Sequence, residues 1–311
     1  MKKKLAKFMG MVSIILALGA CGKEKFTVNK IGITYVKAPL NVPSIVEKKK
    51  DIFQKEFREY KLPVEYSNLT AGPEQIQALA SGDLQFLNGV GATSVILAGA
   101  NGMDIKILST YSSAPGAFVI FTNDENIKSP MDLKGKTVVG PKGTILHELL
   151  VAYLKKGGLS ESDVKFLSMG IPESQSALIG KRADVALLAG PAAYNVEKEG
   201  FKVLTTGVGL IKPVIVTATS GKFAEENPEL VNKFLEGQRE SLRFINGHLE
   251  EALEMTSEET GLPMEAVEKM YRMYNFSPDI TPEIRDSIRD TMKFLYENKM
   301  INEEIDINKL F

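Results

Sequence analysis

The stretch AGPEQIQALASG (Ala71–Gly82) is nearly repeated in the second half of the chain as IPESQSALIGK (Ile171–Lys181). Each copy has Pro-Glu, then Ala-Leu four residues after the Glu, then a Gly. Pro is favoured in the first turn of a helix, because the N–H that it lacks would have no intrahelical partner there. A Glu beside it stabilises the positive end of the helix dipole. The two stretches therefore predict equivalent helix starts in two related units.

Short apolar runs bounded by Gly, Pro and Asp alternate with helix-period segments around both copies. This alternation predicts an α/β fold, with parallel sheets covered by helices on both faces. Ligands bind such sheets at the carboxyl ends of the strands, where helix starts offer N–H groups. Two units that face each other would direct several helix starts into one cleft. After Asn227 the chain is predicted to be helical.

Two extended segments, Ala117–Thr122 (AFVIFT) and Val214–Thr219 (VIVTAT), flank the second unit. We predict that they are crossings between two lobes. Residues 27–117 and 219–311 would then form the first lobe, and residues 118–218 the second. Periodicity leaves open the alternative that both segments are strands in the sheet of one domain.

The first residues, MKKKLAKFMGMVSIILALGAC, have four lysines followed by an apolar run too short for the ~20 residues that span a bilayer. Residues 1–20 are therefore predicted to be a signal peptide. The tetrapeptide LGAC resembles the lipobox of bacterial lipoproteins, so we expect Cys21 to carry the lipid, including palmitate. Residues 21–26 would tether the protein to the extracytoplasmic face of the bacterial cell membrane. The alternative is an ordinary signal peptide with a chance cysteine.

Composition excludes several classes of function. Cys21 is the only cysteine, which excludes disulfides, CxxC redox chemistry and cysteine nucleophiles. Without residues 1–20, four lysines are lost from 38 basic residues; 34 remain against 39 acidic ones, a formal charge of −5 that argues against nucleic acid. The two histidines, His147 and His248, are too far apart in sequence to suggest a transition-metal site. We predict no cofactor, and we interpret the charged run Glu47–Glu56 (EKKKDIFQKE) as a solvated helix face.

Several segments resemble the family of binding proteins that serve nitrate, taurine and aliphatic-sulfonate ABC importers, together with binding proteins for thiamine-pyrimidine precursors. The segments are APLNVPSIVEKKKDIF (38–53), AGPEQIQALASGDLQFLNGVGATSVILA (71–98), IKSPMDLKGKTVVGPKGTILHELL (127–150) and KRADVALLAGPAA (181–193). The most specific of them is DLKGKTVVGPKGT (132–144). The resemblance implies a two-lobed type 2 periplasmic-binding-protein fold with two interlobe crossings and C-terminal helices. It also implies a monomer that traps a small-molecule solute and delivers it to an ABC permease and its ATPase.

In this family the ligand contacts come from strand-to-helix loops, and the resemblance carries them over by position. The implied ligand-binding residues are Tyr35, Lys37, Gly72, Asn88, Gly89, Thr93, Tyr111, Ser112, Ser113, Gly143, Thr144, Gly190 and Pro191. The chain departs from the family in two places. Gln85 stands where the family often has Asp, while the second unit keeps Asp184. Ala189-Gly190 stands where an aromatic residue often precedes the proline.

The loops also indicate the charge of the ligand. They offer Lys37 and Lys142 but no arginine cluster, and a doubly charged phosphonate would usually be held by bidentate guanidinium groups. A monoanion, or a neutral pyrimidine-like ring between Tyr35 and Tyr111, fits better. Two other functions stay open: a surface lipoprotein or receptor without transport, and an enzyme related to the fungal thiamine-pyrimidine synthase. That enzyme family carries a cysteine-rich motif that this chain lacks.

Overall fold

The computed structural model describes residues 28–36 and 40–311. The predicted signal peptide, Cys21, the tether and Lys37 lie outside these residues and stay predictions. Within the described ranges, none of the helices combines the length and the apolar character needed to cross a membrane.

Eleven strands can be followed in the described part of the chain. They are β1 (Ile31–Thr34), β2 (Val64–Ser67), β3 (Leu87–Gly91), β4 (Ile105–Ser113), β5 (Phe118–Thr122), β6 (Thr137–Gly140), β7 (Lys165–Ser168), β8 (Val185–Ala189), β9 (Lys202–Thr206), β10 (Val214–Ser220) and β11 (Asn275–Phe276). Twelve α-helices accompany them there: α1 (Val42–Lys49), α2 (Ile52–Glu56), α3 (Gly72–Ser81), α4 (Ala92–Ala100), α5 (Ile145–Lys156), α6 (Ile171–Ile179), α7 (Gly190–Lys198), α8 (Gly221–Glu226), α9 (Pro228–Gly247), α10 (Leu249–Thr260), α11 (Met264–Tyr271) and α12 (Pro282–Glu297).

The two halves of the molecule have sheets of the same strand order. In the second sheet the order is β7-β6-β8-β5-β9, and β5 is antiparallel to β8 and β9. In the first, β2 pairs with β1, a parallel bridge between Ile33 and Phe86 places β1 beside β3, and the order continues β3-β10-β4-β11. Here β10 is antiparallel to β3 and β4. We call the first sheet with the helices packed on it the first lobe, and the second sheet with its helices the second lobe. The α/β two-lobed fold predicted from the sequence is confirmed.

The extended segments predicted to be crossings are strands, but they belong to different sheets. β5 opens the second sheet, and all of β10 pairs within the first sheet with β3 or β4. A boundary between residues 218 and 219 would cut through β10. We therefore propose that the chain crosses between lobes at residues 114–117 and 207–213, just before each of these strands.

Gln85 and Asp184, where the chain departs from and keeps the family pattern, have the same structural role. Gln85 Oε1 accepts the N–H of Gly32 on β1 at 2.7 Å. Asp184 Oδ2 accepts the N–H of Thr137 on β6 at 2.8 Å. Because β1 and β6 occupy equivalent places in the two sheets, either side chain can hold the strand at that place in its lobe.

The C-terminal helices pack mainly on the first lobe. Phe234 of α9 stacks between Phe53 of α2 and Phe86, with ring centroids 4.9 Å and 4.2 Å away. α12 packs on α4 through a core that includes Ile288 and Met292. Buried aromatic rings of this kind contribute both area and specific stacking geometry. These C-terminal helices therefore form part of the first lobe.

The spacing of Ile45, Val46, Ile52, Phe53 and Phe57 predicts one helix over residues 42–60, but the structure interrupts it. Asp51 adopts a left-handed conformation with φ of 54°, which ends α1 and restarts the chain as α2. The interpretation of Glu47–Glu56 as a solvated face is also wrong at its first residue. Glu47 is fully buried, because α1 presents it toward β3 and α9.

Candidate functional site

Four helices, two from each lobe, begin around one small cavity. The cavity has a volume of about 50 Å³ and receives the first turns of α3 and α4 from the first lobe and of α5 and α6 from the second. Its polar lining comes from Thr70, Gly72, Gln75, Gly89, Gly91, Ser94 and Thr144, and its apolar lining from Val36, Phe118, Pro141, Ile145, Leu146, Ile171 and Ile215.

None of these four helices has a side-chain hydrogen bond that caps its first turn. The first N–H groups of a helix lack intrahelical partners, and each helix start carries roughly half a positive charge. Among the described residues that line the cavity, none has a charged side chain. An anion placed here would therefore meet backbone donors and positive dipole ends without a competing carboxylate.

The two lobes touch directly beside the cavity. Ser94 Oγ of α4 donates to the carbonyl of Gly143, in the loop before α5, at 2.7 Å. Next to Ser94, Thr93 Oγ1 donates to Glu148 Oε2, in the first turn of α5, at 2.6 Å. A Cβ on Gly91 would lie only 3.1 Å from the side chain of Ile145, so a glycine permits this close approach. The structure thus shows the lobes closed on each other.

His147 shapes the loop before α5 and does not line the cavity. Its Nε2 lies 2.5 Å from Glu161 Oε2, its Nδ1 accepts the N–H of Gly143 at 3.3 Å, and its ring stacks on Phe166. Burial lowers the pKa of His147, which favours the neutral ring that can accept at Nδ1. Lys142 is exposed and pairs with Glu161 at 2.9 Å. Neither residue is placed to contact a solute in this cavity.

Three of the residues implied by the family resemblance line the cavity together: Gly72, Gly89 and Thr144. Gly72 opens α3 and packs against Ser94, where a Cβ would overlap the hydroxyl. Gly89 has φ of 97°, a conformation that glycine adopts without strain. Thr144 precedes the first turn of α5, and its hydroxyl donates to the carbonyl of Pro141 at 2.8 Å.

Four other implied residues are buried beneath the cavity: Asn88, Thr93, Tyr111 and Ser112. The hydroxyl of Tyr111 accepts the N–H of Ser44 at 3.0 Å and lies 2.8 Å from the Ser44 hydroxyl. Asn88 Nδ2 donates to Glu47 Oε2 at 2.5 Å. These side chains fix the positions of β3, β4 and α1, and so support the lining from behind.

The remaining implied residues lie at the edges. Tyr35 is buried against Tyr66, and Lys48 Nζ lies 4.1 Å from the centroid of the Tyr35 ring. Neither Tyr35 nor Tyr111 lines the cavity. Ser113 is paired in the sheet of the first lobe, and Gly143 lines a separate groove beside Pro73 and Leu97. Gly190, which precedes Pro191 at the start of α7, lines a second interlobe cavity of about 240 Å³ with Tyr194 and Met270.

Gln75 and Ser94 are lining residues that the sequence reasoning missed. Each lies three residues after a glycine at a helix start, Gly72 and Gly91 respectively. Residues three or four apart share one face of a helix, so this spacing was the available signal. Gln75 is almost fully buried, and its side chain bonds to the carbonyl of Leu69.

Two buried carboxyl groups near the cavity were also missed. Burial raises the pKa of Glu47 to about 8 and that of Glu148 to about 7. Hydrogen bonds from Asn88 and Ser241 to Glu47, and from Thr93 and Thr291 to Glu148, oppose part of this rise. Among the described residues, no group of three or more His, Cys, Asp or Glu side chains is placed to hold a metal ion.

Comparison with known proteins identifies one family and relatives that are named as binding proteins. The family model described as NMT1/THI5 like matches residues 42–252. A Bacillus subtilis (strain 168) protein, provisionally named for binding aliphatic sulfonates, is 28% identical over 318 residues, covering 99% of this chain and 93% of the relative. The taurine-binding periplasmic protein of Escherichia coli (strain K12) is 27% identical over 221 residues, covering 70% and 67%.

Solved structures share the fold. The alkanesulfonate-binding protein SsuA from Xanthomonas axonopodis pv. citri, bound to MOPS, superposes with a TM-score of 0.78 at 20% identity, covering 89% of this chain and 96% of that chain. The desulfurization enzyme DSZB also superposes, with a TM-score of 0.66 at 13% identity, covering 91% and 96%. Identities this low establish only the common fold, which is found in both binding proteins and an enzyme.

Proposed function

Since the chain belongs to the NMT1/THI5-like family, we propose that it is an extracytoplasmic solute-binding protein that captures a small sulfonate-class monoanion and delivers it to an ABC importer. The observation that carries this proposal is the meeting of four uncapped helix starts, two from each lobe, at one cavity. The names of the curated relatives, which concern aliphatic sulfonates and taurine, support the class of solute. Anchoring through a lipid on Cys21 and a monomeric state are further parts of the proposal.

Capture would work by stabilising the closed arrangement of the lobes. A solute that contacts α3 and α4 on one side and α5 and α6 on the other gains its full interaction energy only when the lobes are closed. A ligand that touches one lobe alone would shift nothing. The closed form is then the species that the permease and its ATPase would recognise.

The alternative of a neutral pyrimidine-like solute has less support from the cavity. The tyrosine rings that would stack on such a ring, Tyr35 and Tyr111, are both buried outside the lining. A monoanion held by backbone N–H groups needs neither ring. Each charge-assisted hydrogen bond contributes ~1.5–3 kcal/mol, so a few of them approach the roughly 8 kcal/mol of a micromolar complex.

Isothermal titration calorimetry with ethanesulfonate, nitrate, sulfate and a pyrimidine tests the proposal. We expect ethanesulfonate to bind with about micromolar affinity, sulfate more weakly, and the pyrimidine not at all. Two variants at residue 144 isolate the effect of a negative charge at the cavity. Thr144→Asp and Thr144→Asn both suit the start of a helix, but only the aspartate adds a negative charge at the cavity.

We expect Thr144→Asp to lose about a hundredfold in ethanesulfonate affinity, and Thr144→Asn to lose about tenfold or less. Unchanged ethanesulfonate binding by Thr144→Asp would place the anion elsewhere. A preference for the pyrimidine over all the anions would overturn the assignment of the solute class.

A further inference from the structure

Two of the three hydroxyl groups that line the cavity, those of Ser94 and Thr144, have already donated their protons. Ser94 Oγ donates to the Gly143 carbonyl at 2.7 Å, and Thr144 Oγ1 donates to the Pro141 carbonyl at 2.8 Å. A hydroxyl has one proton and two lone pairs. Both oxygens therefore offer the cavity acceptors only, and the donors around them are the backbone N–H groups of the helix starts and the hydroxyl of Thr70.

Gln75 adds a third acceptor, and its orientation is fixed. Gln75 Nε2 donates to the carbonyl of Leu69 at 2.9 Å, and a carbonyl can only accept, so the amide cannot be turned over. Gln75 Oε1 therefore points away from Leu69. This oxygen is buried and has no hydrogen-bond partner among residues 28–36 and 40–311. A buried acceptor without a partner is costly, and native structures usually satisfy such an atom with a ligand or water.

A simple anion leaves these acceptors unsatisfied, because it brings only acceptors of its own. We infer that the solute carries an N–H or O–H donor beside its anionic group, and that Gln75 Oε1 accepts it. The inference rests on the proposed function, which places the anion at the helix starts. The small cavity, with room for only a few water-sized groups, requires that the donor lie within a few atoms of the anion. Gln75 is then a residue that determines solute specificity.

Three sulfonates of equal length test this inference. Propanesulfonate ends in a methyl group, 2-hydroxyethanesulfonate in a hydroxyl and 2-aminoethanesulfonate in an ammonium, so only the presence and charge of the donor differ. In calorimetric titrations we expect one or both donor-bearing compounds to bind about tenfold or more tightly than propanesulfonate. The hydroxyl and the ammonium compound together show whether the donor that the protein selects is neutral or charged.

A variant at Gln75 and a matched control complete the test. Gln75→Met keeps the length of the side chain but removes the strong acceptor. Gln54 of α2 also has a buried Oε1 without a partner in the described chain, but it does not line the cavity, so Gln54→Met controls for the loss of such an amide. We expect Gln75→Met to lower the affinity for the preferred donor-bearing compound about tenfold. Its affinity for propanesulfonate should change less than twofold. Gln54→Met should change none of the three affinities.

The outcomes separate this inference from the proposed function. If the unmodified protein binds all three sulfonates equally well, or if Gln75→Met weakens all three to the same extent, the donor inference is wrong and the proposed function stands. If the protein binds none of them, the proposed function fails and the inference fails with it. Thermal melting of both variants shows whether either change acts through folding.

Discussion

Glu47 lies on α1 inside the first lobe, whereas Glu148 lies on α5 of the second lobe and reaches across to the first. Glu47 accepts from Asn88 at 2.5 Å and from Ser241 at 3.1 Å, both in its own lobe. Glu148 accepts from Thr93 of α4 at 2.6 Å and from Thr291 of α12 at 3.4 Å, both in the opposite lobe. Burial raises the pKa of both groups, and each is satisfied by neutral donors.

The difference lies in what has to move for each carboxyl group to reach water. Glu47 becomes hydrated only when the first lobe unfolds, so its hydrogen bonds contribute to the free energy of unfolding. Glu148 becomes hydrated when the lobes separate, so its hydrogen bonds contribute to closure and therefore to solute affinity. The same chemistry should give a stability phenotype at one site and a binding phenotype at the other.

The largest effect is expected from Glu47→Ala. This change leaves the buried side chains of Asn88 and Ser241 with fewer partners and opens a cavity beside β3. We expect the free energy of unfolding to fall by about 2–4 kcal/mol, measured by urea denaturation without solute. Glu47→Gln, which keeps an acceptor oxygen, should lose less than half as much, and the exposed Glu250→Ala almost nothing. A loss of solute affinity at unchanged stability would remove the distinction between the two glutamates.

The second effect is a pH dependence of solute binding that comes from Glu148. In the closed form the pKa of Glu148 rises from its ordinary value of 4.5 to about 7, so the closed form holds the proton more tightly than an open form with Glu148 in water. Affinity is then fully present below pH 4.5, falls as the pH rises to about 7, and is flat above. Glu148 also lines a separate groove, where the other charged groups, Lys212 and Asp290, form an ion pair at 2.8 Å that raises the pKa of Lys212.

Calorimetric titration of a sulfonate, which stays ionised throughout, checks this dependence between pH 5 and pH 8. We expect affinity to fall about tenfold over this interval, less than the full shift in pKa allows, because an open form need not hydrate Glu148 completely. Glu148→Gln should abolish most of the slope, and Glu47→Gln should keep it. A slope that survives in Glu148→Gln would assign the proton to another group.

Much of the fold could be predicted from residues that act locally. Pro73 and Pro172 mark helix starts by their own chemistry, and α3 and α6 begin within one residue of them. The interruption at Asp51 could not be predicted in this way, because periodicity continues through the residue. The β-α alternation also predicts sheets covered by helices, although the membership of β10 in the first sheet depends on pairing with β3 and β4, which are distant in sequence.

The site was less predictable for a related reason. Gly72, Gly89 and Thr144 could be placed at the cavity by family position, since loops at strand ends are recognisable in sequence. The unpartnered oxygen of Gln75 depends on the position of the Leu69 carbonyl, which no local pattern reveals. Glu47 and Glu148 look in sequence like ordinary acids on helices. Their burial is decided by which lobe or helix covers them, and that is a tertiary property.

A smaller effect is expected from Thr93→Val, which removes the hydroxyl that Glu148 accepts while keeping the shape of the side chain. Since one neutral hydrogen bond is lost at the interface between lobes, solute affinity should fall about threefold, with little change in urea stability. A double-mutant cycle with Glu148→Ala should show that the two losses are not additive, because both remove the same contact. Additive losses would mean that Thr93 acts on the solute site by another route.

The smallest effect is expected at the ion pair between Lys155 of α5 and Glu297 of α12, which also joins the two lobes but lies in solvent. The nitrogen and the carboxylate oxygen are 3.3 Å apart, and more than half of each side chain is exposed. Exposed pairs of this kind contribute ~0.2–1 kcal/mol and are weakened by salt. Lys155→Met should therefore lower sulfonate affinity by less than about twofold, and the difference should disappear in 0.5 M salt, where the roughly 4–5 Å screening length leaves little attraction between exposed charges. If Lys155→Met instead matched the loss in Thr93→Val, and kept it in high salt, closure would depend on contact between the lobes in general and not on the buried carboxyl group.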